Sequence, residues 1–203
     1  MAKKNSDLEP RLETRIKAIK KFMNSNPESN YINNGFYTNR NIYIKDQELS
    51  YIPNEYKVLK DDYKKILNIK ELEDKFIPAF KEQKYIKKEI TPSDFKKLYT
   101  DLKRFGFEQI KIRDGKFMLY DTTGHSKWKM RGEAECLKGF NLDFDFKQFL
   151  NICYAINEMK PIDIKFFSSK TYLIVKMTAG CSVTIYARGV MLEEVSLEQK
   201  TLA

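Results

Sequence analysis

The chain has 203 residues, 42% hydrophobic and 13% aromatic, enough to bury a sizeable core and too apolar for intrinsic disorder. Thirty-seven Lys and Arg against 28 Asp and Glu leave a net charge of +9, which suits an acidic polymer or surface and speaks to partners more than to fold. The three cysteines show no Cys-x-x-Cys spacing, so neither a disulfide framework nor a zinc site is expected.

A reducing cytoplasm follows from that cysteine usage. "MAKKNSDLEP" lacks the apolar stretch of a signal peptide, and no apolar run reaches the roughly 18–20 residues of a membrane span. The richness in Lys, Asn and Ile is typical of AT-rich genomes such as those of low-GC bacteria and their phages, for which the compartment would be the host cytoplasm.

In chain order, the pattern predicts a helix from Ser6 to Met23. "SDLE" at 6–9 is a capping-box pattern, and Leu12, Ile16, Ile19 and Met23 form one stripe, with Arg11, Arg15, Lys17, Lys20 and Lys21 mostly elsewhere. Tyr31 to Tyr51 reads as two or three short strands, and Lys57 to about Glu82 as a helix broken near Pro78. These make residues 1–83 a small α+β segment.

From Lys84 onward one unit is written twice. "YIKKEIT" is a strand, and "TPSD" caps a helix with the stripe Phe95, Leu98, Tyr99 and Leu102, ended by Gly106. "FEQIKIRD", "GKFMLYDTTG" and "HSKWKMRGEAE" then alternate as three antiparallel strands. The second copy repeats the order: "KGFNLDFD" as a strand, a helix with the stripe Phe146, Phe149, Leu150 and Cys153, and the strands "PIDIKFFSS", "KTYLIVKMTAG" and "CSVTIYARGV". The class is α+β, two β-α-β-β-β repeats over 84–192 with both helices on one side of antiparallel sheets and a tail at 193–203. A single helix cannot cover one unit's sheet, so two units are expected to pack their helices side by side against a shared sheet and close one core.

This double unit, with the "DFKKLYTDLKRFGFEQIKI" helix-to-strand passage, the "FDFKQFLNICYAI" helix and the last strand "SVTIYARGV", resembles one domain of a DNA sliding clamp of the phage and proliferating-cell-nuclear-antigen type. The resemblance implies a non-catalytic processivity factor whose helices face double-stranded DNA and which tethers a DNA polymerase or other clamp-binding protein, as a ring of copies. Carried over, Lys96, Lys97, Lys103 and Arg104, with Thr100, are the phosphate-facing residues of the first repeat helix, and Lys147, with Gln148, Asn151 and Asn157, those of the second. Arg15, Lys17, Lys20 and Lys21 would serve if the first helix also lines the hole. The second helix is poorer in cations than the pattern asks, and residues 1–83 are too short for a full clamp domain. A clamp-like protein that binds a host protein as an inhibitor or anti-defence factor without encircling DNA is therefore the alternative, and a regulator binding DNA through helix 8–23 is a third reading.

No catalytic residue, metal or cofactor is expected. His125 and Ser126 lie in a turn without a second base, and neither a Walker loop nor G-x-G-x-x-G occurs. Asp143 and Asp145 could tempt a metal reading, but Asp145 fits a helix N-cap. Phe117, Met118, Tyr120 and Trp128 alternate with Lys116, Lys127, Lys129 and Arg131. Stacking on single strands is one use for such a mixture, and core packing of the aromatics is the expected one. The last strand of the repeat, rich in Val, Ile and Tyr, should have its free edge covered by another subunit or by the chain's own N-terminal segment.

Overall fold

A computed structural model describes residues 14, 15, 17, 18, 30–32, 35–38, 42–46, 75–121 and 127–189. Three short strands, β1 (Asn30–Ile32), β2 (Gly35–Thr38) and β3 (Ile42–Asp46), precede a short helix, α1 (Ile77–Lys81). The first repeat is β4 (Ile86–Ile90), α2 (Pro92–Leu102), β5 (Gln109–Arg113), β6 (Lys116–Asp121) and β7 (Lys127–Glu133). The second is β8 (Asn141–Asp145), α3 (Phe146–Met159), β9 (Asp163–Ser169), β10 (Tyr172–Ala179) and β11 (Cys181–Arg188). The β-α-β-β-β order expected over 84–192 is thus present in both copies. Of the predicted helix 57–82 only the last turns lie within the described residues, and the capping box at 6–9 lies outside them.

Local chemistry explains the boundaries. Thr91 caps α2 by accepting from the Asp94 amide at 3.1 Å, and Pro92 occupies the first turn, where its missing N–H costs nothing. Asp145 does the same for α3 through the Gln148 amide at 2.7 Å. Helix α2 stops at Leu102, four residues before the glycine expected to end it. Between β5 and β6, Asp114 and Gly115 take φ of 48° and 80°, the left-handed pair of a two-residue hairpin turn. A Cβ at Gly115 would lie 2.8 Å from the Ala134 carbonyl oxygen, so this turn also needs glycine for space.

Pairing is more interwoven than one shared sheet. The strands form two antiparallel sheets, in the orders β1-β2-β3-β11-β10-β9-β4 and β7-β6-β5-β8. Strand β4 belongs to the first repeat but pairs with β9, and β8 of the second repeat pairs with β5. Each repeat lends its first strand to the other's sheet.

Helices α2 and α3 lie side by side, with Tyr99 and Tyr154 rings 6.4 Å apart. Their apolar stripes close on the sheets. Phe95, Leu98, Leu102, Phe146, Phe149 and Cys153 are all buried, Phe95 against Phe166 of β9 and Phe149 edge-on to Phe144 of β8. On the opposite face of the larger sheet, α1 brings Phe76 and Phe80 onto Tyr43, Tyr172 and Tyr186, with Phe80 edge-on to both of the last two. Burial raises the Tyr85 hydroxyl well above the usual phenol range, with Tyr172 and Tyr186 adding to it, and that hydroxyl donates to the Phe80 carbonyl at 2.8 Å.

The edge of β11 is covered by the chain itself. Strand β3 runs antiparallel along it from Val183↔Asp46 to Ala187↔Ile42, with Ile44, fully buried, opposite Ile185. Ile44→Pro should remove a ladder donor and the buried side chain together and uncover β11. We expect concentration-dependent self-association by light scattering. An Ile44→Pro protein that stays as monodisperse as the wild type would show that β3 does not protect the edge.

Candidate nucleic-acid interface

Helix α2 turns its stripe inward and leaves Pro92, Ser93, Asp94, Lys96 and Lys97 exposed, followed by exposed Lys103 and Arg104 just past its end. At 3.6 residues per turn, Lys96 lines up with half-exposed Thr100 and with Lys103, and Lys97 with Asp101 and Arg104. The two rows differ electrostatically. In one, Asp101 holds Arg104 at 3.8 Å across an exposed pair. In the other, the Lys103 ammonium stands 5.8 Å over the Tyr99 ring, which steadies it without neutralising it. Thus α2 brings together the four cations expected of the first repeat helix, with two carboxylates, Asp94 and Asp101, on the same helix.

Helix α3 is different. Of its 14 residues only Lys147 is exposed. Gln148 donates from Nε2 to the Arg188 carbonyl at 3.1 Å, tying the helix to the end of β11, and Asn157 donates to Glu158 at 3.4 Å. The polar residues expected to face DNA are half-buried here, two of them engaged within the fold.

The N-terminal cations divide. Arg15 is buried, 1% exposed, and its guanidinium donates to the Ala179 carbonyl at 2.6 Å, so it serves the interior and not a phosphate surface. Ala18, three residues on, is buried as well, in the same core as Ala179. The periodicity that put Arg15 among outward residues could not reveal this, because the carbonyl it reaches is distant in sequence. Lys17 is exposed, and Lys20 and Lys21 lie outside the described residues.

No protein-family model and no curated protein matches the sequence. Among solved structures the chain is similar to the Helicobacter pylori beta clamp in complex with 5-chloroisatin, at 12% identity and TM-score 0.36, over 54% of this chain and 33% of that one. It is similar also to the PCNA2–PCNA3 complex from Sulfolobus tokodaii, at 15% identity and TM-score 0.35, over 51% and 46%. The Helicobacter pylori beta clamp in complex with 3,4-difluorobenzamide matches at 11% identity and TM-score 0.36, over 80% and 43%. The chain therefore spans less than half the length of each. Likenesses this distant carry nothing about function, and the α+β two-repeat architecture stands on its own strand order.

Other chemistry expected or weighed from sequence can be placed. Asp143 is buried and ion-paired with Arg113, while its backbone amide donates to the Lys170 carbonyl, so both halves of the residue are structural. Among the described residues no group of three or more His, Cys, Asp and Glu is placed to hold a metal, and no helix is long and apolar enough to cross a membrane. Phe117 is buried, as alternation implies, but Met118 and Tyr120 are only half-buried on the other face of β6, and the Trp128 side chain and His125 lie outside the described residues.

The cysteines are free thiols. Burial, with the Asp94 carboxylate adding to it, pushes Cys136 up to about 11, so it is protonated at neutral pH and a poor nucleophile. Cys153 is fully buried and raised further by that burial. Alkylation of Cys136 should therefore rise about tenfold per pH unit from pH 7 to 10 with no plateau. A plateau below pH 9 would mean an activated thiol that this geometry does not provide.

Proposed function

We propose that the chain is a non-catalytic, clamp-like DNA-associating protein that contacts duplex phosphates through α2 and tethers a polymerase or another clamp-binding protein, in phage DNA replication or clamp-dependent transcription. The observation that carries this reading is the set of four exposed cations, Lys96, Lys97, Lys103 and Arg104, contributed by one helix and its end. Such a face contacts phosphates without reading bases, so its binding is sequence-independent and salt-sensitive. A tether of this kind works by raising the local concentration of its partner, so each contact can be weak.

Coverage of β11 by β3 favours an open form of this tether over a ring closed through that edge. Among the described residues the outermost strands are β1, three residues long, and β4 in the larger sheet, and β7 and β8 in the smaller one. Head-to-tail closure needs two complementary edges, and here it would have to run through two of these four strands. An isologous contact, one edge strand paired with its own copy, would stop at two subunits.

The same coverage, together with an α3 that exposes only Lys147, favours one second reading: a clamp-like protein that does not encircle DNA and binds a host protein as an inhibitor or anti-defence factor. Light scattering combined with duplex binding across a salt series separates the readings. A monomer with salt-sensitive duplex binding supports the open tether. A closed oligomer above dimer supports a ring. No duplex binding even at low salt rules out the DNA role and leaves the protein-binding reading.

A further inference from the structure

At the end of β4 away from α2, a groove of about 430 Å³ opens between the two sheets, lined by Lys84, Ile86, Arg113, Asn141, Ser168, Ser169 and Lys170. We propose that this groove is a phosphate-binding site, distinct from the α2 face. Three cations from three separate stretches of the chain converge here, and the lining holds no carboxylate. Neither the Lys84 nor the Lys170 ammonium has an ion-pair partner among the described residues. Arg113 is fixed in place by Nη1, which donates to the Ile112 carbonyl at 2.9 Å and the Leu142 carbonyl at 3.3 Å and pairs with buried Asp143. All three contacts use Nη1, which leaves Nη2 and Nε as donors for a ligand. A guanidinium held this way is pre-organised, and a tetrahedral oxyanion can take its fork together with two ammoniums.

A second observation points the same way. Ser168 is only 1% exposed, and its hydroxyl is buried with no hydrogen-bond partner. A buried hydroxyl without an acceptor is unfavourable, and a bound phosphate oxygen would supply one. The position is also odd for the strand: Ile164, Phe166 and Ser168 share the core-facing side of β9, and only at the groove does a polar residue replace an apolar one. Sequence reasoning passes over these residues because they are far apart along the chain and match no phosphate-loop pattern.

The phosphate could belong to a small molecule or to a nucleic-acid backbone, and two arms of one experiment tell these apart. Pyrophosphate is titrated calorimetrically into the wild type, into Lys84→Glu/Lys170→Glu and into Ser168→Ala, with matched ionic strength. Saturable one-to-one binding is expected, weakened about tenfold or more by the double reversal and measurably by Ser168→Ala. Because Lys84 and Lys170 are exposed and the Ser168 hydroxyl has no partner, melting temperatures without ligand should be unchanged, so weaker binding is not a failure to fold. Duplex DNA binding is measured on the same proteins. Affinity lowered by the double reversal, with the salt slope reduced by about two, assigns the phosphate to a nucleic-acid backbone. Duplex affinity unchanged while pyrophosphate binding disappears assigns it to a small molecule. Reversal of the α2 cations should leave pyrophosphate binding intact, which keeps this site separable from the proposed DNA face. Wild-type and doubly reversed proteins that respond identically to both probes would overturn the proposal.

Discussion

Phe149→Ala is expected to lower the free energy of unfolding by about 3–5 kcal/mol. Phe149 is fully buried on α3, its ring 6.1 Å from Phe144 and nearly edge-on to it. Truncation removes an aromatic side chain from a fully buried position in the main core, where close packing lets neighbours fill little of the cavity. For a domain whose total stability is of order 5–15 kcal/mol, this is a large fraction. The contrast lies two residues away: Lys147→Ala, on the exposed side of the same helix, should stay within about 0.5 kcal/mol. Urea titrations of the two variants measure the difference directly. A cost below about 1 kcal/mol for Phe149→Ala would mean that α3 is not packed as described.

The largest effect on binding should come from reversing α2. Replacing Lys96, Lys97, Lys103 and Arg104 together with Glu converts four exposed cations into anions, and none of the four lies in the core. The far-ultraviolet circular dichroism should be unchanged, since the Arg104–Asp101 pair that the change removes is an exposed one worth at most about 1 kcal/mol. Duplex affinity at low salt should collapse, and the salt dependence should flatten by about 0.9 for each phosphate no longer neutralised, close to four in all. Taken singly, Arg104 should matter least, because Asp101 competes with phosphate for it. Affinity that survives the fourfold reversal would make this face an ordinary solvated surface.

Much of this architecture is legible in the amino-acid sequence, and the reasons are local. A stripe such as Phe95, Leu98 and Leu102 is dictated by helical periodicity, and a cap such as Thr91 or Asp145 by the need to satisfy free amides at a helix start. Alternation along "KTYLIVKMTAG" likewise becomes the in-out burial of β10. What stays hidden depends on contacts between distant residues. Nothing near "YIKKEIT" says that its partner is "PIDIKFFSS" rather than a strand of its own repeat. The outward cation Arg15 is claimed by a carbonyl at the far end of the chain, and Gln148 by another at the end of β11. The candidate site divides along the same line: cations on one helix are visible from spacing, whereas the groove of Lys84, Arg113 and Lys170 exists only once three distant stretches of chain have met. The aromatic layer under α1 could have been found from the Phe76 and Phe80 spacing, which puts both rings on one side of a turn.

The exchange of first strands between the repeats bears on how the molecule comes into being. Strands β3 and β4 are made early but pair with β11 and β9, which come near the other end of the described chain. Neither can find its neighbour until almost everything else has been synthesised. Formation of the larger sheet therefore waits on distant encounters, the kind that slow folding and leave apolar strand edges exposed meanwhile. The smaller sheet, whose β5, β6 and β7 succeed one another closely in sequence, can assemble first and offer β8 an edge to join. Nascent chains should accordingly gain protection in the four-stranded half while the seven-stranded half is still open, and chaperones should find their client surface there.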